Sequence, residues 1–452
     1  MAQEIASKRQ ENASERQSPK QSGRQPQEQS EKQSAIAIDF AMEYSQVSFY
    51  VDGMKEPESF CLMTGGQNYL IPTLVAKKDG EDRWYVGNHA KELMEKGEAS
   101  GTRKLYECLR EGLEVTIGEA VYEAEKIFAV YVKKILDTVS LAADVTEFSQ
   151  VIITVRVPEK NMIENIYKAV ESLGYDRSRI HVIGHAESFI YYNLFQKREL
   201  WANDVIAFDF SKDASIMYRM TLVRARAPQP VIVKEDSNIS MSFELLATGE
   251  GRKELDRNFK TILEETSKKG IVTTIYLTGA GFQENWMDES KAPLCNKHRV
   301  FQGSNLFVKG AGYAGMVYLG KADVGRYMFV CSGRTILQVD VDTLVNDTVT
   351  PLCLSKSGCN WYDAGARLEA ILDDTKELHF TIHSLLHNRN KNVVVTLSSL
   401  PERPNKTTRV EIVLSYLDDK TIVIRVTDLG FGDFYPATGQ FEQVTINVEE
   451  CM

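Results

Sequence analysis

The sequence predicts an α/β domain followed by an all-β domain, and three observations carry that reading. Two stretches repeat one design: an apolar strand, an aspartate, a short turn and a second strand. They are AIAIDFAMEYSQVSFYV at 35–51, with Asp39 at the end of its first strand, and DVIAFDFSKDASIMYRM at 204–220, with Asp209 in the same place. Between them strands alternate with amphipathic helices, the pattern of a sheet covered by helices. From about Val324 helical periodicity fades, and short strands punctuated by turn residues take over.

Taken in order, residues 1–34 are Gln, Ser, Glu, Lys and Arg with almost no large apolar side chain. Such a segment buries too little surface to offset its ordering entropy, so it is predicted disordered, as a tether or an inert leader. After the first hairpin, strands are expected at 61–63 and 70–75 around Gly65-Gly66, then at 84–86, with a short helix over 88–96. A long helix is expected over 117–139, because Val121, Ala124, Ile127, Phe128, Tyr131 and Ile135 recur on one face. A strand at 151–157 stops at Pro158. A helix follows over 160–173, with Ile163, Ile166, Tyr167 and Val170 on its stripe and Gly174 at its cap. A strand at 180–183 and a helix at 186–195 lead to the second hairpin. A helix over 252–268 uses Leu255, Phe259, Ile262 and Leu263, and a strand at 273–277 runs into Gly279. The last third supplies strands at 335–341, 368–372, 378–385, 393–397, 409–416, 421–426 and 443–448, with turns at Asp373-Asp374, Asp418-Asp419 and 430–432.

With 452 residues the chain is long enough for two or three domains with sizeable cores. A net charge of −10 argues against nucleic acid or an anionic membrane as the main partner. Seven scattered cysteines without a CxxC pair suggest free thiols in a reducing cytoplasm, and no apolar run reaches the ~18–20 residues of a membrane span. Oligomeric state is not legible.

Two buried strands ending in Asp39 and Asp209 at tight turns are the skeleton of a phosphate clamp. Such turns are normally glycine-rich, so that backbone N–H groups close on the phosphates. Here they read Ala41-Met42-Glu43 and Ser211-Lys212-Asp213, then Ala214. A carboxylate of Glu43 or Asp213 facing a triphosphate at ~4 Å costs about 4 kcal/mol at an effective dielectric of ~20, enough to erase several decades of affinity. Lys212 offsets part of this if it folds inward.

With IYLTGAGF at 275–282, these motifs resemble the actin-like ATPase superfamily (a ribonuclease H-like fold), and within it the seventy-kilodalton, DnaK-type heat-shock chaperones. The resemblance covers most of 35–452. VGNHAKEL at 86–93 is similar to the family's strand, G-x-x-A, helix passage, and RVEIVLSYLDDKTIVIRVTD at 409–428 to its substrate-binding β-domain. It implies lobes at about 35–203 and 204–323, then a β-sandwich over 324–452.

By the same resemblance, Asp39 and Asp209 would be magnesium-shell carboxylates of an ATP or ADP site, and Gly279, Ala280 and Gly281 the adenosine loop. Lys104 matches the catalytic lysine, with Arg103 as the alternative. The family's phosphate-proximal glutamate is replaced by His185, with Glu187 two residues on; His185 and Lys104 also read as ordinary surface residues. Leu352, Leu354, Phe431, Phe434 and Tyr435 are candidates for a peptide groove, or for packing inside the β-domain. The helical lid, the acidic–leucine linker and most of the lobe between the second hairpin and residue 252 are absent from this pattern. The expectation is a chaperone-like protein with a degenerate, pseudo-ATPase nucleotide domain that binds a protein or peptide. The alternatives are a slow ATP-hydrolysing chaperone and an actin-like assembly protein.

Three other patterns do not form sites. GAGYAG at 310–315 fits GxGxxG but reads as a small-residue packing helix. His379, His383 and His387 lie in a strand context, where residues four apart are ~13 Å from each other. The stretch 249–253 lacks phosphate-loop spacing.

Overall fold

A computed structural model describes residues 32–61, 69–224, 227–296, 298–384 and 389–447. Its first sheet is built on β1 (Ser34–Asp39), which pairs antiparallel with β2 (Tyr44–Val51) and parallel with β3 (Gln150–Val155). β3 pairs in parallel with β4 (Ile180–Gly184), and Glu58–Ser59 lies antiparallel beside β2. The longer helices of this half are α1 (Gly87–Glu95), α2 (Ala124–Ala143), α3 (Lys160–Glu171) and α4 (His185–Leu194), with a short one at Leu105–Glu111.

The second sheet repeats the plan. β5 (Asp204–Phe210) is antiparallel to β6 (Ser215–Leu222), which is antiparallel to β7 (Gln229–Asp236). β5 is parallel to β8 (Val272–Thr278), and β8 to β9 (Arg299–Gln302). β10 (Tyr327–Val330) joins the outer edge of β7. Leaving β10 aside, the two sheets share strand order and strand sense. The longer helices here are α5 (Gly249–Lys268) and α6 (Leu306–Tyr318), with a short one at Lys291–Cys295.

Side-chain alternation stacks these parts. Every residue of β1 is buried, as expected of a strand covered on both faces. Ile36 and Ile38 share a core with Ile127, Phe128 and Tyr131 of α2 and Ile163 and Ile166 of α3. Ala35 and Ala37 point the other way, to Ala186 and Phe189 of α4 and Ala311 and Ala314 of α6; Val205 and Ala207 of β5 close this core from the far side. Ile206 and Phe208 then meet Leu255 and Phe259 of α5. The layers therefore run α2/α3, first sheet, α4/α6, second sheet, α5. The middle layer is thin because its residues are small. A Cβ on Gly310 would stand 2.0 Å from the Ser188 carbonyl oxygen, so the GAGYAG stretch serves close packing of α6 on α4.

The last third is β-rich. β11 (Leu337–Val345), β12 (Thr348–Ser355), β14 (Glu377–Ser384) and β15 (Arg389–Thr396) form a sheet ordered β12-β11-β14-β15, whereas β13 (Ala366–Ile371), β16 (Arg409–Asp418), β17 (Thr421–Gly430) and β18 (Phe441–Asn447) form one ordered β13-β16-β17-β18. Val339, Phe380 and Ile382 of one sheet share a core with Ile412, Leu414 and Ile424 of the other. Strand β12 is an edge strand whose residues 348–353 are exposed, and Pro351 pairs with Asp342. The same core cluster continues into the α2/α3 layer, and Tyr362 donates a hydrogen bond to the Val182 carbonyl of β4. No helix of the described residues is long and apolar enough to cross a membrane.

Several sequence expectations are corrected. The helix expected over 117–139 starts at Ala124; Glu114–Ile117 and Ala120–Glu123 instead pair as a hairpin about Gly118, whose φ is +64°. The β-branched run there wins over helical spacing, and Val121 is 57 % exposed rather than part of the helix stripe. The strand expected at 70–75 is broken into Ile71–Pro72 and Val75–Lys78. Strands β7, β9, β10 and β12 were not expected, β10 lying beyond Val324; β7 and β12 each contain a proline, and β12 has no buried alternate face. Ser34, the end of the tail expected to be disordered, is instead buried as the first residue of β1. The expectations for 1–31, for the strand at 61–63 past Cys61, for Gly65-Gly66 and for His387 fall outside the described residues.

Candidate functional site

The two hairpin turns are equal in length: four residues, 40–43, link β1 to β2, and four, 211–214, link β5 to β6. None of these eight residues has positive φ, so the turns form without the left-handed residues that a glycine-rich phosphate loop uses. The second is closed by a backbone bond of 2.8 Å from Ser211 N–H to the Ala214 carbonyl.

Asp39 is 6 % exposed, and its Oδ1 lies 2.9 Å from His185 Nε2. His185, the first residue of α4, is held flat against Phe307 of α6, with ring centroids 4.0 Å apart and 11° between planes. It is buried rather than the ordinary surface residue considered from sequence, and its Nδ1 has no hydrogen-bond partner among the described residues. Asp209 is equally buried. Burial pushes its carboxyl up to about 6, against the pull of Arg156 and His185 and with the repulsion of Asp213 and Asp39 added.

Arg156 is the residue that sequence reasoning missed. It follows β3 and extends its guanidinium to the second turn, where Nη2 donates to Asp213 Oδ2 at 3.0 Å. Both side chains are largely buried, at 19 % and 16 % exposure. Burial acts to raise the Asp213 carboxyl, but the Arg156 charge and hydrogen bond outweigh it and hold the group below its ordinary value. The basic residue preceding Val157-Pro158 was the available signal; one arginine in a strand end carries little weight without knowing what it faces.

The remaining expected residues divide. Ala41 and Met42 border no anion-binding backbone, and Glu43 faces Lys212 across the turns, with Nζ 3.3 Å from Oε1. Both side chains are well exposed, so the pair contributes little to stability. Lys104 is exposed, as its ordinary reading expects, and lines a hollow of about 280 Å³ beside the first turn with Met42 and Glu43. Arg103 lines the same hollow. Gly279 and Gly281 pack closely on Phe210, the first on its backbone and the second on its ring. A Cβ on Gly279 would meet the Phe210 carbonyl oxygen at 2.3 Å, and one on Gly281 the Phe210 ring at 2.3 Å. Phe210, the residue after Asp209, is fully buried against Phe243, Phe282 and Trp286.

Glu187 turns away from the hairpins. It is 1 % exposed and pairs with Arg334, whose Nη1 also donates to the Gly358 carbonyl at 2.5 Å. In the β-rich part, Leu352 and Leu354 lie within the edge strand β12. Phe431, Phe434 and Tyr435 follow β17 on the other sheet; Phe434 is 91 % exposed, and Phe431 and Tyr435 bridge to each other. His379 and His383 are on β14, and His383 lies 2.9 Å from Asp340 Oδ2.

A triphosphate fits these residues poorly. The guanidinium that acts on Asp209 is already committed to Asp213, and the turns lack the left-handed residues that form a nest of backbone N–H groups.

A family description, the C-terminal part of a family of unknown function (DUF5716), matches residues 56–332, more than half of the chain. A second, a domain of unknown function (DUF8552), matches residues 334–448. The first match includes Arg156, His185 and Asp209 and begins after Asp39; the two meet next to Arg334. No curated protein matches the chain.

Proposed function

Because the chain belongs to the DUF5716 family, whose function is unknown, we propose from its own residues that it is an actin-like, heat-shock-chaperone-like protein whose nucleotide domain is a pseudo-ATPase. In this reading the α/β part works as a binding or regulatory body, and the β-rich part contacts a protein or peptide. Support for the ancestry comes from two sheets of the same strand order, each with an aspartate at the end of its first strand before a four-residue turn.

The observation that carries the loss of ATPase function is Arg156. Its guanidinium reaches Asp213 and acts on Asp209, so a nucleotide or metal entering between these carboxylates would compete with a cation the protein already supplies. Opening that pair to admit a nucleotide leaves a partly buried carboxylate without its cation, a cost of about 3 kcal/mol.

Calorimetric titration of Mg-ATP into the full chain tests this. No saturable heat is expected at micromolar nucleotide. Tight binding abolished by Asp39→Ala or Asp209→Ala would instead support the slow chaperone ATPase, and nucleotide-dependent pelleting an assembly protein.

A further inference from the structure

A cavity of about 580 Å³ lies between the segment that starts α1 and the C-terminal half of α2. Its floor is apolar, with Ile71, Ile135 and Val139 all buried. Trp84 forms one wall, held edge-on by Tyr122 with ring centroids 5.4 Å apart. The volume falls within the ~300–1,000 Å³ of pockets that enclose small organic molecules, and a mostly apolar lining with few polar groups is their usual chemistry.

The mouth is chemically distinct from the floor. Arg83 and Lys134 are both exposed there, and neither forms an ion pair among the described residues; Arg83 rests over the Tyr85 ring at 5.3 Å. His89 adds an imidazole, and Glu92 is the one carboxylate in the lining. Elsewhere on this chain of net charge −10, lysines and arginines commonly sit beside acids, as Lys133 does with Asp137 on the same helix. Two unpaired cations above an apolar floor complement a molecule with an acidic head and an apolar body. A neutral apolar ligand would leave them unused, and a bare phosphate would leave the floor unfilled.

We propose that this cavity is a binding site for a small amphipathic anion, an aryl or medium-chain carboxylate or sulfonate. The body rests on Ile71, Ile135 and Val139 against Trp84, and the head meets Arg83 and Lys134. This site is separate from the hairpin turns, and it stands whether or not the nucleotide reading does.

The test is titration of the full chain with 8-anilino-1-naphthalenesulfonate, followed by energy transfer from tryptophan. The other three tryptophans, Trp201, Trp286 and Trp361, are buried in other parts of the structure, so Trp84→Phe isolates the signal. One saturable site is expected, displaced by decanoate and insensitive to Mg-ATP. Arg83→Ala with Lys134→Ala should weaken it about tenfold, the loss of ~1.4 kcal/mol of charge-assisted contact. Thr138→Trp, which fills the cavity from its exposed side, should abolish it while circular dichroism stays unchanged. Binding that ignores both the charge removal and Thr138→Trp, or no saturable binding at all, overturns the proposal.

Discussion

Arg156 and Asp213 stand 57 residues apart in the chain and meet at 3.0 Å where the two hairpins face each other. The pair ties the end of β3 in the first sheet to the turn after β5 in the second, and it sets the electrostatics of Asp209 beside it.

Removing one partner leaves the other charge largely buried. Arg156→Ala is expected to lower unfolding free energy by about 3 kcal/mol, and Asp213→Ala by a similar amount. Replacing both, as Arg156→Met with Asp213→Leu, should restore most of the loss. Urea denaturation of the three variants at neutral pH measures this, and a double variant as weak as the singles would contradict it.

Asp209 should work against stability at neutral pH. Its folded pKa, about 6, exceeds the unfolded value near 3.9, so the native state holds the proton more tightly and stability falls as pH rises from about 4 to 6. Asp209→Asn removes that slope and should add up to about 3 kcal/mol at pH 7 while changing little at pH 4. Denaturation at pH 4.5, 5.5 and 7 checks the sign.

The junction between the two parts depends on Arg334 and Glu187, both nearly enclosed. Arg334→Ala leaves Glu187 at 1 % exposure without its cation, for a loss of about 3 kcal/mol or more. Hydrogen exchange should quicken at β4 and at the start of α4, and in residues 358–362, ahead of the outer strands β15 and β18. Uniform exchange across the chain would argue against a local role.

Gly279 combines φ of +96° with a would-be Cβ 2.3 Å from the Phe210 carbonyl oxygen. Gly279→Ala is therefore expected to cost about 3 kcal/mol through strain alone, read as a lowered Tm. A melting temperature that does not move would contradict this account of Gly279.

Much of the layered half was legible because its strands are buried on both faces and its helices carry clear stripes. The Ala-Ile alternation of β1 and the Leu255–Phe259–Leu263 stripe of α5 are local signals. Strands β7 and β12 were illegible for a physical reason: Pro230 and Pro351 break the strand pattern, and β12 has no buried face to alternate against. At the candidate site, Asp39 and Asp209 were found because each ends an apolar strand before a turn. Arg156 and the His185–Asp39 contact were not, because each joins segments far apart in sequence. That Gly279 and Gly281 pack on Phe210 follows from tertiary contact that no local spacing encodes.

The β11–β12 arm has a further consequence. Its turn residues Asn346 and Asp347 both take positive φ, and Val345 faces Thr348 across a two-residue loop. Counting from that bonded pair, the outward-facing backbone positions of β12 are 349, 351 and 353, so Pro351 stands in the middle of the free rim with no amide hydrogen to offer. A neighbouring molecule trying to extend this sheet finds its hydrogen-bond ladder interrupted at the centre. The arm can thus show Val349 and Leu352 to solvent while resisting fibril-like stacking of one molecule on the next.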